Sequence, residues 1–254
     1  MKIGDTEVAT YVADPQLDIR LAPRPYLHPV RTLGGTVVTD ELCFDHPWHL
    51  GASVTLADVN GWNFWGGRTY VRDRGYTWLD DHGTIRHESP ERLRWRDGNG
   101  RTVLTEQRHI TAAPAAGGWE LSFRYALTAP PGRPVTIGSP ATNGRTGGAG
   151  YGGLFWRCPP AGKAVSSVEH GSDAPELTLT VDDRYSLTFR GLAGDDRWFV
   201  RTDGYVGVCA ALAWEKPLVL PPGDTLSRSL TVLVQDVGGA AQAATSSTNP
   251  VMPE

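Results

Sequence analysis

Apolar and polar side chains alternate along residues 119–127 of this chain. Trp119, Leu121, Phe123 and Tyr125 fall on one face of the alternation, and mostly polar residues separate them. A period of two places successive side chains on opposite faces of a β-strand, so this segment is predicted to be a strand with one buried face. Similar short strand-like runs occur at residues 35–39, 52–59, 84–87, 93–96, 101–112, 176–181, 185–190 and 226–234.

Turn signals separate these runs. Asn60-Gly61 is a strong hairpin signal, and Asp97-Gly98-Asn99-Gly100 ends another run. Residues 206–214 are apolar almost throughout, which predicts a strand buried on both faces. The 30 Gly and 19 Pro suit a protein of many turns, and no convincing helix of ten or more residues is present. The pattern predicts an all-β protein built as a large antiparallel β-sandwich, with few or no helices.

The boundaries follow from composition. We predict one β-sandwich domain over residues 21–237, because sandwiches of this size are commonly undivided. Residues 1–20 are polar and are expected to be irregular. Residues 238–254 are rich in Ala, Ser and Thr and are expected to form a flexible tail.

Charge narrows the range of partners. The formal net charge is −4 and like charges are not clustered, which argues against a nucleic acid or an anionic membrane as partner. No apolar run reaches 18 residues, so we expect a soluble, cytoplasmic protein. Cys43, Cys158 and Cys209 are far apart in sequence, and we expect buried or half-buried free thiols.

The run Asp45-His46-Pro47-Trp48-His49-Leu50-Gly51 offers the clearest chemistry. His46 and His49 could act as acid and base, because histidine titrates near neutral pH. They could instead bind a divalent metal, with Asp45 as a ligand or as a partner of a ligand. The spacing alone is weak evidence, and both histidines could be plain loop residues. Pro47 favours a loop at the end of a sheet.

Neighbouring segments strengthen this candidate. His28 and Arg31 lie upstream, and Asn60 and Trp65 lie downstream. A Trp ring can stack on the C–H face of a sugar, while amides and guanidinium groups bind its hydroxyls. These residues together favour a sugar site around the histidines.

A glycine-rich stretch at residues 143–153 supplies further candidates. It is flanked by Arg145 and Arg157, either of which could bind a carboxylate, a phosphate or an enolate oxygen, and it contains Tyr151. The stretch is read as a loop whose backbone approaches a ligand closely. Glu215 follows the apolar run 206–214, where burial would raise the pKa of its carboxyl and suit it to general-base work.

Five motifs bear on the family: Tyr26–Thr32, Asp45–Gly51, Asn63–Gly67, Tyr151–Arg157 and Trp198–Asp203. They resemble the bacterial PmoA-like family of unknown function, whose members often carry the label "methane oxygenase". The family motif is often Asp-His-x-His-His-Arg-Gly, and Trp48 and Leu50 depart from it here. We set the methane label aside because the sequence has no apolar run long enough to span a membrane.

The resemblance implies a role in carbohydrate catabolism, because PmoA-like members tend to be encoded beside sugar dehydrogenases and sugar transporters. The region around Glu215 is also similar to the closing region of galactose-mutarotase-like supersandwiches, in which a late Glu is a base and histidines are acids. That likeness concerns the fold more than the motifs.

We therefore expect an enzyme that acts on a sugar or glycoside, including a 3-keto-glycoside made by a partner dehydrogenase, by β-elimination or hydrolysis of the glycosidic bond. An aldose epimerase or mutarotase and a non-catalytic carbohydrate-binding protein remain as alternatives. The expected catalytic residues are His28, His46, His49 and Glu215. The expected substrate-binding residues are Arg31, Asp45, Asn60, Trp65, Arg145, Tyr151 and Arg157. A divalent metal, if bound, would be held by His46 and His49.

Overall fold

A computed structural model describes residues 1–238 of the protein, and strands account for nearly all of its regular structure. One large antiparallel sheet has six strands, in the spatial order β18-β19-β14-β5-β4-β3. Its strands are β3 (Ala9–Val12), β4 (Tyr26–Val30), β5 (Ala52–Thr55), β14 (Gly153–Arg157), β18 (Arg197–Arg201) and β19 (Gly207–Ala211).

The second large sheet has eight strands and is also antiparallel, in the order β15-β16-β17-β21-β12-β11-β10-β9. Its strands are β9 (Thr84–Ser89), β10 (Arg92–Arg96), β11 (Thr102–Ala115), β12 (Gly118–Thr128), β15 (Ala164–Ser166), β16 (Glu176–Val181), β17 (Tyr185–Arg190) and β21 (Thr225–Asp236).

Short strands complete the fold. They are β1 (Lys2–Ile3) with β2 (Thr6–Glu7), β7 (Thr69–Val71) with β8 (Gly75–Thr77), and a three-stranded sheet of β6 (Asp58–Val59), β13 (Val135–Gly138) and β20 (Leu218–Leu220). One 3-10 turn covers Ile19–Leu21. Within residues 1–238, no helix has the length and apolar character needed to cross a membrane.

The main core lies between the two large sheets. Phe189 of β17 packs against Trp156 of β14 and Trp198 of β18, with ring centroids 5.7 and 6.2 Å apart. The alternating residues of β12 face this core, and Trp119 and Phe123 are almost fully buried. This packing confirms the expected all-β sandwich, since each sheet covers the apolar face of the other.

The six-stranded sheet buries side chains on both faces. Trp156 points into the main core, whereas its neighbour Phe155 lies in a second apolar cluster with Trp65, Phe199 and Cys209. This follows from the alternation of side chains along a strand. The second cluster forms the floor on which the candidate site is built.

Several local predictions need correction. Residues 1–20 were expected to be irregular, but β1, β2 and β3 lie there, and β3 pairs with β4 at the edge of the six-stranded sheet. A strand was expected at residues 35–39, but there Val37 makes only an isolated bridge to Arg31. The expected tail lies outside the described residues from position 239 onward.

The cysteines follow the expectation. All three are buried free thiols, and burial raises the pKa of Cys158 and of Cys209 to about 12. They are therefore apolar packing groups rather than nucleophiles.

Candidate functional site

An aromatic cleft of about 440 Å³ lies over the second apolar cluster. This volume is within the range of small-molecule sites. His46 and His49 line it, and seven aromatic side chains form most of its surface. These are Trp48, Trp65, Tyr76, Trp78, Tyr151, Phe199 and Tyr205.

The loop from Asp40 to Gly51 carries both histidines. Its base is closed by backbone hydrogen bonds from Asp40 N to Arg157 O and from Gly51 N to Asp40 O, each 2.9 Å long. Gly51 has φ +47°, and a Cβ atom there would lie 2.1 Å from the carbonyl oxygen of Leu27. Only glycine fits this close approach to β4, which explains the residue that ends the histidine motif.

Four side chains from this loop and from β14 form a closed ring of contacts. Asp45 Oδ2 lies 2.8 Å from His46 Nδ1, and both Asp45 oxygens accept hydrogen bonds from Arg157 Nη2 at 2.9 and 3.0 Å. Arg157 Nη1 lies 3.2 Å from His49 Nδ1. The two imidazole rings then stack on each other, with centroids 4.6 Å apart and planes 5° from parallel.

This closed set of contacts favours different tautomers for the two histidines. A guanidinium can only donate, so His49 Nδ1 must accept, and the neutral His49 ring carries its proton on Nε2. Burial lowers the pKa of His49 well below 6.5, and the charges of Arg157 and Arg24, with that of His46 whenever it is protonated, lower it further. His49 is therefore a neutral hydrogen-bond donor.

The contact with Asp45 selects the tautomer of His46. Partial burial opposes ionisation of Asp45, but hydrogen bonds from His46 and Arg157 outweigh it and lower the pKa of its carboxyl. The Asp45 carboxylate accepts from Nδ1–H of His46, which leaves a lone pair on Nε2 of the neutral ring. His46 therefore has the arrangement of a general base held by a carboxylate.

A tight turn at residues 63–67 positions Trp65 and Trp48, which form the aromatic wall of the cleft. Asn63 Oδ1 accepts hydrogen bonds from the backbone N–H groups of Trp65 and Gly66, each at 2.8 Å. At Gly67, with φ +70°, a Cβ atom would lie 2.5 Å from the ring of Trp48. The two glycines thus let the indole pack directly on the backbone.

The Arg24 side chain forms hydrogen bonds both to the turn that carries Trp65 and to the histidine loop. Its guanidinium is fully buried and donates to the carbonyl oxygens of Trp48 at 2.9 Å and of Trp65 at 3.2 Å. It also donates to Ser53 Oγ on β5. Sequence reasoning did not single out Arg24, although it directly precedes the Pro25-Tyr26 segment of the motif.

Seven of the residues expected from sequence come together here. His46, His49, Trp65, Arg145 and Tyr151 line the cleft. Asp45 and Arg157 complete the ring of contacts behind the histidines.

Four expected residues lie elsewhere. His28 on β4 does not line the cleft, and its Nδ1 lies 3.0 Å from Thr39 Oγ1. Arg31 contributes its backbone carbonyl to the indole N–H of Trp119. Asn60 is the left-handed residue of a turn, and its Oδ1 accepts from Thr136 N at 2.8 Å.

The prediction for Glu215 was wrong in both position and burial. It is exposed and lines a different depression with Trp214, Lys216 and Arg197. The chain turns after the apolar run, so the carboxylate emerges at the rim between β19 and β20, away from the histidines. The exposed side chain therefore lacks the buried setting that the sequence interpretation assumed.

The structure adds cleft residues that sequence reasoning missed. They are Trp48, Arg68, Tyr76, Trp78, Phe199, Arg201 and Tyr205. Trp48 was noted only as a departure from the family motif, and Phe199 and Arg201 only as parts of a family motif. For Arg68, Tyr76 and Trp78 the available signal was the density of Trp, Tyr and Arg at residues 62–78, whereas no such signal marked Tyr205.

A metal does not fit this donor set. No group of three or more His, Cys, Asp or Glu suited to a metal ion occurs within residues 1–238. His46 and His49 both use Nδ1 for other partners, and two remaining nitrogens fall short of the three protein ligands usual for catalytic zinc. The suggestion that the two histidines bind a metal therefore gains no support from their geometry.

Fold and site together define an all-β sandwich protein with an aromatic cleft that carries two unlike histidines. The family of unknown function DUF6807 matches residues 1–248, and the chain belongs to that family. No curated protein matches the chain.

Proposed function

We propose that this protein is a carbohydrate-active enzyme that removes a proton next to a carbonyl group of a sugar and then eliminates the glycosidic substituent. The observation that carries the proposal is the pairing of a carboxylate-held His46 with an arginine-held His49 in one aromatic cleft. Such a pair supplies a base and a neutral donor side by side, which enolisation of a ketone requires.

The first step is proton transfer to His46. In a 3-keto-glycoside, the ketone acidifies the C2–H bond, and Nε2 of His46 takes that proton. The electron pair moves to the ketone oxygen, which accepts a hydrogen bond from Nε2–H of His49. The nearby positive charge of Arg157, which lies behind His49, favours the enolate further.

The second step releases the aglycone. The enolate re-forms the ketone and a C1–C2 double bond while the C1–O bond breaks. The leaving oxygen takes the proton from His46, which returns the base to its starting state. Addition of water to the double bond would complete a net hydrolysis.

The aromatic walls suit a sugar ring. Trp65 and Tyr151 meet with ring centroids 4.5 Å apart, and Trp48 and Trp78 meet edge to face at 6.3 Å. Burial raises the pKa of Tyr205 to about 12, so its hydroxyl stays neutral and can bond to a sugar hydroxyl. Flat rings with hydroxyls at their edges are typical of carbohydrate sites.

The PmoA-like resemblance supports the same substrate class. PmoA-like members tend to be encoded beside sugar dehydrogenases, and such an enzyme would oxidise the sugar to the ketone. We place the activity in the cytoplasm beside that dehydrogenase. The mutarotase alternative in its Glu-dependent form loses support because Glu215 lines another depression. An epimerase remains a second candidate, because it would use the same first step without a leaving group.

The test is incubation of the purified chain with a 3-keto-glucoside that carries a chromogenic aglycone. We expect aglycone release that falls about 100-fold or more in His46→Ala. His109→Ala is the matched control, because His109 is an exposed histidine on β11 outside the cleft. In deuterated water, incorporation of deuterium at C2 reports the first step separately.

The outcomes separate the three functions. Release of aglycone supports elimination, and exchange at C2 with inversion but without release supports an epimerase. Binding of the keto-glucoside with neither exchange nor release, unchanged in a His46→Ala/His49→Ala double variant, would identify a carbohydrate-binding protein and contradict the proposal.

A further inference from the structure

The aromatic cleft is lined by charge of only one sign. Arg68, Arg145 and Arg201 line it, whereas none of its lining residues within positions 1–238 is Asp or Glu. The chain as a whole carries a formal charge of −4, so this is a local reversal. Asp45 lies behind the histidines, and its carboxylate is already bonded to His46 and Arg157.

The three arginines have no acidic partner. Across the described part of the chain, none of them forms a salt bridge, although fourteen such pairs occur elsewhere. Each guanidinium lies instead over an aromatic ring of the cleft, with Arg145 4.8 Å from Tyr76 and Arg201 5.5 Å from Phe199. Among residues 1–238, therefore, no carboxylate forms a close ion pair with any of the three guanidinium groups.

Arg201 shows an unmet bonding capacity directly. Its Nε is buried and has no hydrogen-bond partner among the described residues. A buried donor without a partner is costly, and groups of this kind call for an explanation. The buried Nε itself is out of reach of a ligand, but Arg201 lines the cleft, where an oxyanion could accept hydrogen bonds from its Nη groups.

Arg145 and Arg201 belong to the same end of the cleft. Arg145 donates to the hydroxyl of Tyr76, and that hydroxyl lies 2.9 Å from the hydroxyl of Tyr151. Tyr151 also packs edge to face on Phe199, over which Arg201 lies. Arg145 is thus connected to Tyr151 through Tyr76, and Arg201 is connected to it through Phe199.

The histidines lie one aromatic side chain away from this end. The Trp65 ring contacts both His49, at 5.8 Å between centroids, and Tyr151, at 4.5 Å. A molecule whose reacting carbon meets the histidines can therefore place a second substituent between the two arginines.

We propose that the substrate of this cleft carries an oxyanion, either a carboxylate or a phosphate ester, and that Arg145 and Arg201 bind it. This rests on the proposed function for the sugar part of the ligand. A guanidinium matches both anions through paired N–H groups, so acidic sugars are the substrate class that the cleft selects.

The experiment compares three monosaccharide probes that differ in charge: D-glucose, D-glucuronate and D-glucose 6-phosphate. Binding to the full chain is measured by titration calorimetry and by quenching of the cleft Trp fluorescence. We expect at least one acidic probe to bind roughly 10- to 100-fold more tightly than glucose. The tighter of the two acids distinguishes a carboxylate site from a phosphate site.

Variants test the assignment of the arginines. Arg201→Gln and Arg145→Gln should each weaken binding of the acidic probe roughly 10-fold or more and weaken glucose binding by a clearly smaller factor. Arg92→Gln is the matched control, because Arg92 is an exposed arginine on β10 outside the cleft. Rising salt should weaken only the acidic probe.

Equal binding of glucose and both acids, or no binding of either acid at millimolar concentration, would overturn the proposal. These outcomes are independent of turnover. If acids are preferred but no keto-glycoside is enolised or cleaved, the proposed function fails and the anion site stands. If neutral keto-glycosides are cleaved without any preference for acids, the anion site fails and the proposed function stands.

Discussion

Arg157 Nη1 donates to Nδ1 of His49 at 3.2 Å, and this single contact fixes the chemical character of the histidine. A ring that accepts at Nδ1 from a permanent cation keeps its one proton on Nε2 and resists a second. The stacked neighbour His46, held by Asp45, has the opposite arrangement with its lone pair on Nε2. Two residues of one type thereby take up complementary roles.

We predict that His49 stays neutral through the physiological pH range. Its pKa is lowered chiefly by burial and then by neighbouring positive charges, so it should show no protonation step at or above the usual histidine value of 6.5. Nitrogen-15 NMR of the histidine rings should show a neutral ring protonated at Nε2. A titration midpoint for His49 at or above 6.5 would contradict the geometry.

The same residue should make the fold less stable in mild acid. Unfolded His49 binds a proton near pH 6.5, whereas the folded residue does so only at lower pH. Its contribution to stability is therefore present above about pH 6.5 and is lost as pH falls toward the folded pKa.

Urea titrations at several pH values measure this effect. In His49→Asn, whose amide oxygen can still accept from Arg157, the pH slope of the unfolding free energy below pH 6.5 should shrink by up to about 1.4 kcal/mol per pH unit. The exposed His109→Asn is the control and should leave the slope nearly unchanged. An identical slope in wild type and His49→Asn would refute the assignment.

Gly67→Ala should damage the aromatic wall. The new Cβ atom would lie 2.5 Å from the Trp48 ring, and the residue would be forced to keep φ +70°. We expect a loss of about 1–3 kcal/mol in unfolding free energy and a changed near-ultraviolet circular dichroism spectrum, because the indole must move. Gly61→Ala is the control, since Gly61 has φ +84° with no atom within 4 Å. Equal effects of both substitutions on the spectrum would argue against the close packing.

A buried ion pair outside the cleft should matter for stability. Glu106 accepts from Arg108 Nε at 2.6 Å and from Trp95 Nε1 at 2.8 Å, and both charged side chains are buried. Glu106→Gln leaves Arg108 without its counter-charge, so we expect a loss of about 3–5 kcal/mol, measured by urea denaturation.

The exposed pair of Glu176 and Arg190 gives the comparison. Glu176→Gln should cost about 1 kcal/mol or less, because water screens the pair. A similar cost for both substitutions would mean that burial does not set the value of the Glu106 pair.

Glu215→Gln and Asp45→Asn separate the two candidate carboxylates. Asp45 is bonded to His46 and Arg157, whereas Glu215 is exposed in another depression. In the keto-glycoside assay we expect Asp45→Asn to reduce the rate about 100-fold or more and Glu215→Gln to leave it nearly unchanged. The reverse result would restore Glu215 as the base.

Period-two patterns predicted much of the sandwich. The strands expected at residues 176–181 and 185–190 coincide with β16 and β17, and the alternating face of residues 119–127 is the buried face of β12. Such patterns are local, because each strand must bury one face whichever strand pairs with it. The residues at 35–39 show the limit, since β-propensity without a pairing partner leaves only one bridge.

The sequence by itself determined that the chain is a β-sandwich and that the histidine motif with its nearby Trp and Arg is the best candidate site. Only the tertiary structure decided which distant residues meet there. Arg157 reaches Asp45 across 112 positions because β14 pairs with β5, next to the histidine loop, whereas Glu215 leaves the sheet at its rim. Spacing along the chain carries no information on strand order, and strand order sets which side chains converge.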